Sequence, residues 1–287
     1  MDNSPGLPYL PRFDWYSASV AAEPSEVLEA LEGLTDGAAW EPMQRVPFGY
    51  GSGWRLVDAD GQVACIWAGG RHERPHVVVT GESAPVGARV LREVWPVHSV
   101  SRADVVALDS AEPGAYDRLQ AAGVAVAQRH RVKVGTAGDH LLTFDGRTCY
   151  LGSPSSAVRC RIYDKAAELR AKLKDPAKLA SVPDHLARVE LQVRPTTSDQ
   201  KARCAAAEPV ELLGSAAWSR ELVRHVAGLE LQPFAVGAVW READDERARA
   251  AMVRQYGAML ERLASDLGSW ECVGLQLRDD LARCRRG

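Results

Sequence analysis

The chain lacks any apolar run approaching the roughly 18 residues of a membrane span, so no membrane partner is expected. Its first residues have neither the basic nor the apolar region of a secretory signal. Six cysteines, at 65, 149, 160, 204, 272 and 284, include no CxxC pair. That spacing argues against a disulfide framework and a cysteine zinc site, and for reduced thiols in a cytoplasmic setting. No GKS or GKT phosphate loop is present, which excludes an ATP-driven helicase, and no GxSxG elbow, which excludes a common hydrolase plan. None of the seven histidines forms a His-apolar-His metal pair. His72 and His76 do spell HExxH, but Pro75 falls inside the required helix and Gly69 and Gly70 precede it, so the imidazoles cannot share a helical face. A globally basic surface is missing too, since the formal net charge is −3.

What is present is local. Between Arg147 and Lys178 eight Lys or Arg face three acids. The first 150 residues read as strands with turn punctuation: an opening strand at 13–20, apolar bursts at 54–57, 64–68 and 76–80, and a buried strand at 100–108. Helices are expected at 24–32 with Ser25 as N-cap, at 86–94 and at 116–126. Runs at 140–144 and 147–151 flank Asp145 and Gly146 and read as a hairpin. From 211 onward the periodicity is helical, and Ala248, Met252, Tyr256, Met259, Leu260 and Leu263 read as the core-facing stripe of 244–268. The expected fold is α+β, a largely antiparallel sheet with helices on one face, followed by a mainly helical C-terminal region. The expected division is a strand-rich body at 1–204 and a helical region at 205–287, with a hinge at 195–209 and a further division near 96 left open.

Side chains alternate between the faces of a strand. If 158–165 is a strand, Arg159, Arg161, Tyr163 and Lys165 share one face, while Val158, Cys160 and Ile162 share an apolar one. Residues 187–194 follow the same logic, with Arg188, Glu190, Gln192 and Arg194 opposite Ala187, Val189, Leu191 and Val193. Paired in one sheet, the two polar rows would set Glu190 near Tyr163 among arginines, although cross-strand ion pairs on a solvated face satisfy the same pattern. Asp104 lies within an apolar strand, a costly place for a charge unless it is paired or metal-bound. Arg102 is one available partner. Asp109 is an odd number of residues further on, so a regular strand would send it to the other face unless a bulge intervened. Asp104, Asp109 and Glu190 would offer hard oxygen donors suited to Mg2+ or Mn2+. A phenol among cations should have a lowered pKa and suits attack on a phosphodiester, with arginines gripping nonbridging oxygens.

These stretches carry a resemblance. FDWY at 13–16, SRADVVALD at 101–109, YLGSPSS at 150–156 with RIYDKAAE at 161–168, and RVELQVR at 188–194 resemble the replication initiation factor family, the Rep_trans rolling-circle replication initiators and related relaxases of plasmids, phages and integrative elements. The helical end, at 255–257 and 268–270, is similar as well. The resemblance implies that Tyr163 nicks one strand of origin DNA, leaving a 5′-phosphotyrosyl intermediate and a 3′-OH primer. It implies Asp104 and Glu190 as metal-site acids, with Asp109 displaced by one residue from the family spacing. On the strand parity, Arg161, Lys165 and Arg188 become phosphate contacts, joined by Arg159 and Arg194, and Ser153 beside Gly152 a further donor. Double- and single-stranded origin DNA, a homodimer and a host superfamily 1 helicase are the implied partners. The competing reading is an origin-binding or regulatory protein that does not cut.

Overall fold

The computed structural model describes residues 10–236 and 244–284. Ten strands are present among them: β1 (Arg12–Ser19), β2 (Ala39–Pro42), β3 (Ser52–Asp58), β4 (Gly61–Ala68), β5 (His76–Thr80), β6 (Ser99–Ser110), β7 (Val134–Ala137), β8 (Thr148–Leu151), β9 (Val158–Asp164) and β10 (Ala187–Val193). They form one sheet in the order β2-β3-β4-β5-β1-β6-β10-β9-β8-β7, antiparallel throughout. The helices of this unit are α1 (Pro24–Ala30), α2 (Ala84–Val94), α3 (Ala115–Arg129), α4 (Lys165–Lys172), α5 (Pro176–Ala180), α6 (Ser198–Ala206), α7 (Pro209–Leu212) and α8 (Ala217–Ala227). The fold is mixed α+β, as expected.

Alternation decides which face is buried. Cys160 and Ile162 of β9, Val189, Leu191 and Val193 of β10, and Val100, Ala103 and Val105 of β6 all enter one core. Val27 of α1, Leu91 of α2, Val126 of α3 and Leu222 of α8 enter the same core. Each such aliphatic side chain contributes about 1.5–3 kcal/mol by leaving water. Helix α3 comes close enough to the sheet that a Cβ on Gly123 would meet the Ile162 Cδ1 at 2.6 Å. The apolar rows of β9 and β10 thus face the helices, which leaves their polar rows on the opposite face of the sheet.

Several expectations need correction. The cap of α1 is Glu23, which forms a reciprocal capping box with Glu26 while Pro24 takes the first turn, so Ser25 is inside the helix. Residues 140–144 are not a strand: the Asp139 carboxylate accepts the backbone N–H groups of Leu141, Leu142 and Thr143, which curls the segment into the loop between β7 and β8. Strand β9 stops at Asp164 because that side chain accepts the N–H of Ala167 and caps α4, making Lys165 a helical residue. Helix α6 runs across the expected boundary at 204 and α7 and α8 follow it, yet Leu212, Leu213 and Val223 belong to the same core of the sheet as Cys204.

The chain divides into two compact units, one ending at Gly237 and one beginning at Ala238. The second holds α9 (Asp244–Leu267) and α10 (Trp270–Cys284). Leu260 and Val273 are buried within it, but Met252, Tyr256 and Met259 are exposed, contrary to the expected core stripe. A pair of helices has only one mutual contact surface, too narrow for the whole stripe. Ala248 lies outside the residues whose side chains are described. No helix among the described residues is long and apolar enough to cross a membrane.

Candidate active site

The polar face of β6, β10 and β9 is built by register. Arg188 stands opposite Tyr163 on one side and Asp109 on the other; Glu190 stands opposite Arg161; Gln192 stands opposite Arg159 and Asp104. Two irregularities make this possible. Ala107 is an extra residue in β6 between Leu108 and Val106, so Asp104 and Asp109 return to one face despite their odd spacing. Asp14 is likewise an extra residue in β1, between Phe13 and Trp15.

Two charge clusters result. In the first, the Arg102 guanidinium grips Asp104 with Nε on Oδ1 at 2.8 Å and Nη2 on Oδ2 at 2.5 Å. Arg161 Nη2 bridges Asp104 Oδ2, at 3.3 Å, and Glu190 Oε1. Gln192 Nε2 also approaches Asp104, at 3.3 Å. Asp104 and Glu190 are fully buried, so these guanidiniums supply the pairing that burial demands. In the second cluster, Arg188 donates Nε and Nη2 to the two oxygens of Asp109 at 2.7 and 2.9 Å, and Nη1 to Asp14 at 2.7 Å. Arg12 adds a contact to Asp109 at 2.7 Å.

Tyr163 joins the clusters. Its hydroxyl donates to Glu190 Oε2 at 3.1 Å, and Arg188 is its direct cross-strand neighbour. The ring is only 8% exposed, so the expectation of an outward phenol is corrected: it lies on the polar face but is covered. The expected lowering of its pKa is corrected as well. Burial drives the phenol far up, the charge of Glu190 adds to that, and Arg188 offsets only part. Glu190 is itself pushed up to about 7 by burial, against the pull of Arg161. Burial also pushes Asp109 upward, but Arg188 and then Arg12 outweigh it and leave that carboxyl below its ordinary range.

The remaining site residues fall into place around this centre. Lys165 pairs with Glu168 at 2.8 Å, and its Nζ lies 5.8 Å from the Tyr163 ring centre, so it neighbours the phenol without belonging to the strand row. Arg159 stacks on Tyr150 at 3.9 Å, and Arg102 on Trp15 at 4.2 Å. Arg194 follows β10 and donates to the Pro154 carbonyl. Ser153 bonds to Ser155 and Ser156 within its own turn, at 3.2 and 2.9 Å. Asp14, Arg12 and Gln192 were missed as site residues. A lone acid inside the aromatic run FDWY was the available signal for Asp14.

A divalent ion fits the expected trio poorly. Asp109 is committed to Arg188 and Arg12, away from Asp104 and Glu190, whose facing oxygens share Arg161. No group of three or more His, Cys, Asp or Glu able to hold a metal occurs among the described residues. The chemistry the arrangement does offer is proton transfer: a phenolic donor set against a buried carboxylate whose affinity for a proton is raised.

No protein-family model and no curated protein matches the sequence. Among solved structures, the chain is similar to a rolling circle replication initiator protein from Geobacillus stearothermophilus, with a TM-score of 0.50 and 17% identity. The match covers 77% of this chain and 97% of that one. Over that share of its length the chain therefore has the fold of a rolling circle replication initiator.

Proposed function

We propose that this chain initiates replication by cutting one strand of origin DNA with Tyr163 and later rejoining it. The observation that carries the reading is the Tyr163–Glu190 hydrogen bond, set among guanidinium groups on the polar face of an initiator-like sheet. In the cutting step the phenolic oxygen attacks phosphorus and its proton passes to Glu190. The bond from phosphorus to the 3′ oxygen breaks, that oxygen takes a proton from water to become the 3′-OH primer, and the 5′ phosphate stays on tyrosine. Rejoining is the reverse. Arg161, whose side chain is 32% exposed, and Lys165 are the cations beside the phenol that would meet the nonbridging oxygens. Arg159 and Arg194 extend the cationic track, and Ser153 borders it. A homodimer and a host superfamily 1 helicase are the partners that the family resemblance adds to this proposal.

Burial of the ring favours a second reading, an origin-binding protein that does not cut. Cutting requires Tyr163 to be uncovered when DNA binds, whereas a pure binder has no such need. One experiment separates them: incubating the protein with a supercoiled plasmid carrying the origin, with Mg2+ or Mn2+ supplied. The cutting reading expects relaxed or nicked plasmid with protein attached, an adduct mapping to the Tyr163 peptide, and loss of both in Tyr163→Phe. Intact plasmid held sequence-specifically establishes the binder, and an adduct on another residue removes Tyr163 from the role.

A further inference from the structure

The polar face of the sheet is not uniform along its strands. At the Tyr163 end, Arg161 and Arg188 are consumed by carboxylates. At the other end of β9 and β10, cations gather without acids: Arg131, Lys133, Arg159 and Arg194 enter no ion pair among the described residues. Arg159 stands opposite Gln192, and the Arg194 N–H continues the ladder to the Ala157 carbonyl. Both side chains therefore leave the sheet on the face that carries Tyr163. The Arg159 guanidinium lies 3.9 Å from the centre of the Tyr150 ring, and its Nε is buried without an acceptor. Burial and the charge of Arg102 hold the Arg194 pKa below its ordinary value; Asp104 gives back part, and Arg159 takes more away.

The turn between β8 and β9 ties these cations together. The Gly152 N–H donates to the Lys133 carbonyl at 2.8 Å, and a Cβ on Gly152 would stand 3.4 Å from the Arg159 Cα. Arg194 reaches the Pro154 carbonyl of the same turn, and Ser155 adds an exposed hydroxyl there. Arg131 and Lys133, both exposed, precede β7, whose Val134 pairs with Leu151 just before the turn. We propose that this end of the sheet is a clamp for the DNA backbone, in which Arg159 and Arg194 hold one phosphate of the strand that Tyr163 cuts and Arg131 and Lys133 hold a neighbouring one. Along β9 the clamp lies about 13 Å from the tyrosine, at the rise of a strand. It therefore sets where the cut falls, within about four nucleotides of the held phosphate at the roughly 3.4 Å spacing of a stacked strand. That placement rests on the nicking role of Tyr163; the binding itself does not.

The chemistry favours a phosphate backbone. A guanidinium presents parallel N–H groups that match two phosphate oxygens, and a lysine adds a point charge. Contacts of this kind fix the register of a nucleic acid without reading its sequence. The division of the face follows from that use. Cations already neutralised by buried acids surround the phenol, where the chemistry takes place, and cations left without acids lie further along the same strand, where a bound anion would neutralise them.

The test uses Tyr163→Phe protein, which has no phenolic oxygen to form an adduct, and a single-stranded oligonucleotide carrying the origin sequence. Fluorescence anisotropy gives the affinity over a range of salt concentrations. The parent is compared with two paired variants, Arg159→Gln with Arg194→Gln, and Arg131→Gln with Lys133→Gln. The second pair is exposed and should leave the thermal midpoint unchanged. Each pair holds one phosphate, so each should weaken binding several-fold and flatten the slope of log affinity against log salt by about 0.7. A neutral methylphosphonate at one linkage within about four nucleotides of the cut should weaken binding to the parent and add nothing to the loss in the Arg159 and Arg194 pair. An unchanged slope in either pair, or the absence of a sensitive linkage, overturns the clamp. Polyglutamate that displaces the oligonucleotide as well as an unlabelled strand of equal charge overturns it too, by making the surface a general binder of anions. The covalent adduct assay on the wild-type protein reads the nicking role separately. An adduct without a sensitive linkage removes the clamp alone, and a sensitive linkage without an adduct removes the nicking role alone.

Discussion

Arg188 offers the most direct test of how the site is held together. Its guanidinium is nearly fully buried and makes three hydrogen bonds, two to Asp109 and one to Asp14, whose side chains keep only 15% and 18% exposure. Arg188→Met keeps much of the apolar stem but leaves two carboxylates facing each other across the gap. Removing one partner of a buried ion pair costs about 3–5 kcal/mol. The lower end, about 3 kcal/mol, is expected here because Arg12 remains on Asp109 and both acids retain some water. In a unit of this size that corresponds to a fall in the melting midpoint of roughly 6–12 °C. Urea unfolding at pH 7, followed by tryptophan fluorescence, should show the loss in the midpoint with the slope unchanged. Its pH dependence has a definite sign. Asp109 has a folded-state pKa below the ordinary 3.8, so its contribution is complete above that value and fades as pH falls through the lowered one. The wild-type and Arg188→Met curves should therefore converge in acid. Adding Asp109→Asn to Arg188→Met should recover part of the loss by removing the stranded charge. A cost under about 1 kcal/mol at pH 7, or a gap that ignores pH, would refute the clamp.

Three further outcomes are expected. Arg161 occupies the space between Asp104 and Glu190, so Arg161→Ala should raise Mn2+ affinity by roughly tenfold in titration calorimetry; equal affinity would show that the carboxylates do not compete for that guanidinium. Glu190, raised from 4.5 to about 7, binds more protons folded than unfolded, so stability should fall as pH rises between those values and then level off. Denaturant curves of Glu190→Gln should lack that slope, and a slope that persists assigns it to another group. In Gly87→Ala the new methyl would stand 2.7 and 2.9 Å from the two methyls of Val79, a stiff β-branched neighbour in the core. Overpacking of about 1–3 kcal/mol should exceed the roughly 1 kcal/mol gained in helix propensity, so thermal unfolding should show net destabilisation; a more stable variant refutes the close approach.

The sheet was legible because its strands obey the period of two. Cys160, Ile162, Val189 and Leu191 announce a buried face, and Arg159, Arg161, Glu190 and Gln192 fall on the other. That parity brings Glu190 and Tyr163 together without reference to any structure. Capping chemistry was less legible. Asp164 could continue a strand or start a helix, and only its bond to the Ala167 N–H decides for the helix and takes Lys165 with it. Asp139 acts similarly on a run of apolar letters that reads as strand. Depth was not legible at all. Alternation assigns Tyr163 to a face but does not say what else lies on that face, and a cation-rich row reads as solvated when its charges are consumed by partners on β6 and β1. The helical stripe of α9 failed for the converse reason, since periodicity marks a face but does not supply a surface to cover it.

The two extra residues explain why the centre holds its proton. Without Ala107, Asp109 would point into the core, and Arg188 would lose the partner that fixes it beside Tyr163. Without Asp14 as an insertion, β1 would offer no second acid to the same guanidinium. The bulges thus anchor Arg188 to carboxylates on two other strands, and its positive charge, the one influence that lowers the Tyr163 pKa appreciably, is largely neutralised there. On the other side Glu190 faces the hydroxyl as an acceptor. A cutting step in this geometry cannot begin from a free phenolate; it must pass the proton to Glu190 as the phosphodiester arrives. The rate should therefore rise with pH as Glu190 ionises near 7 and show no further dependence near the ordinary phenol value of about 10. A pH profile of adduct formation on a single-stranded oligonucleotide reads this directly. A single inflection near 10 would mean that the phenol ionises to solvent and that Glu190 is not its acceptor.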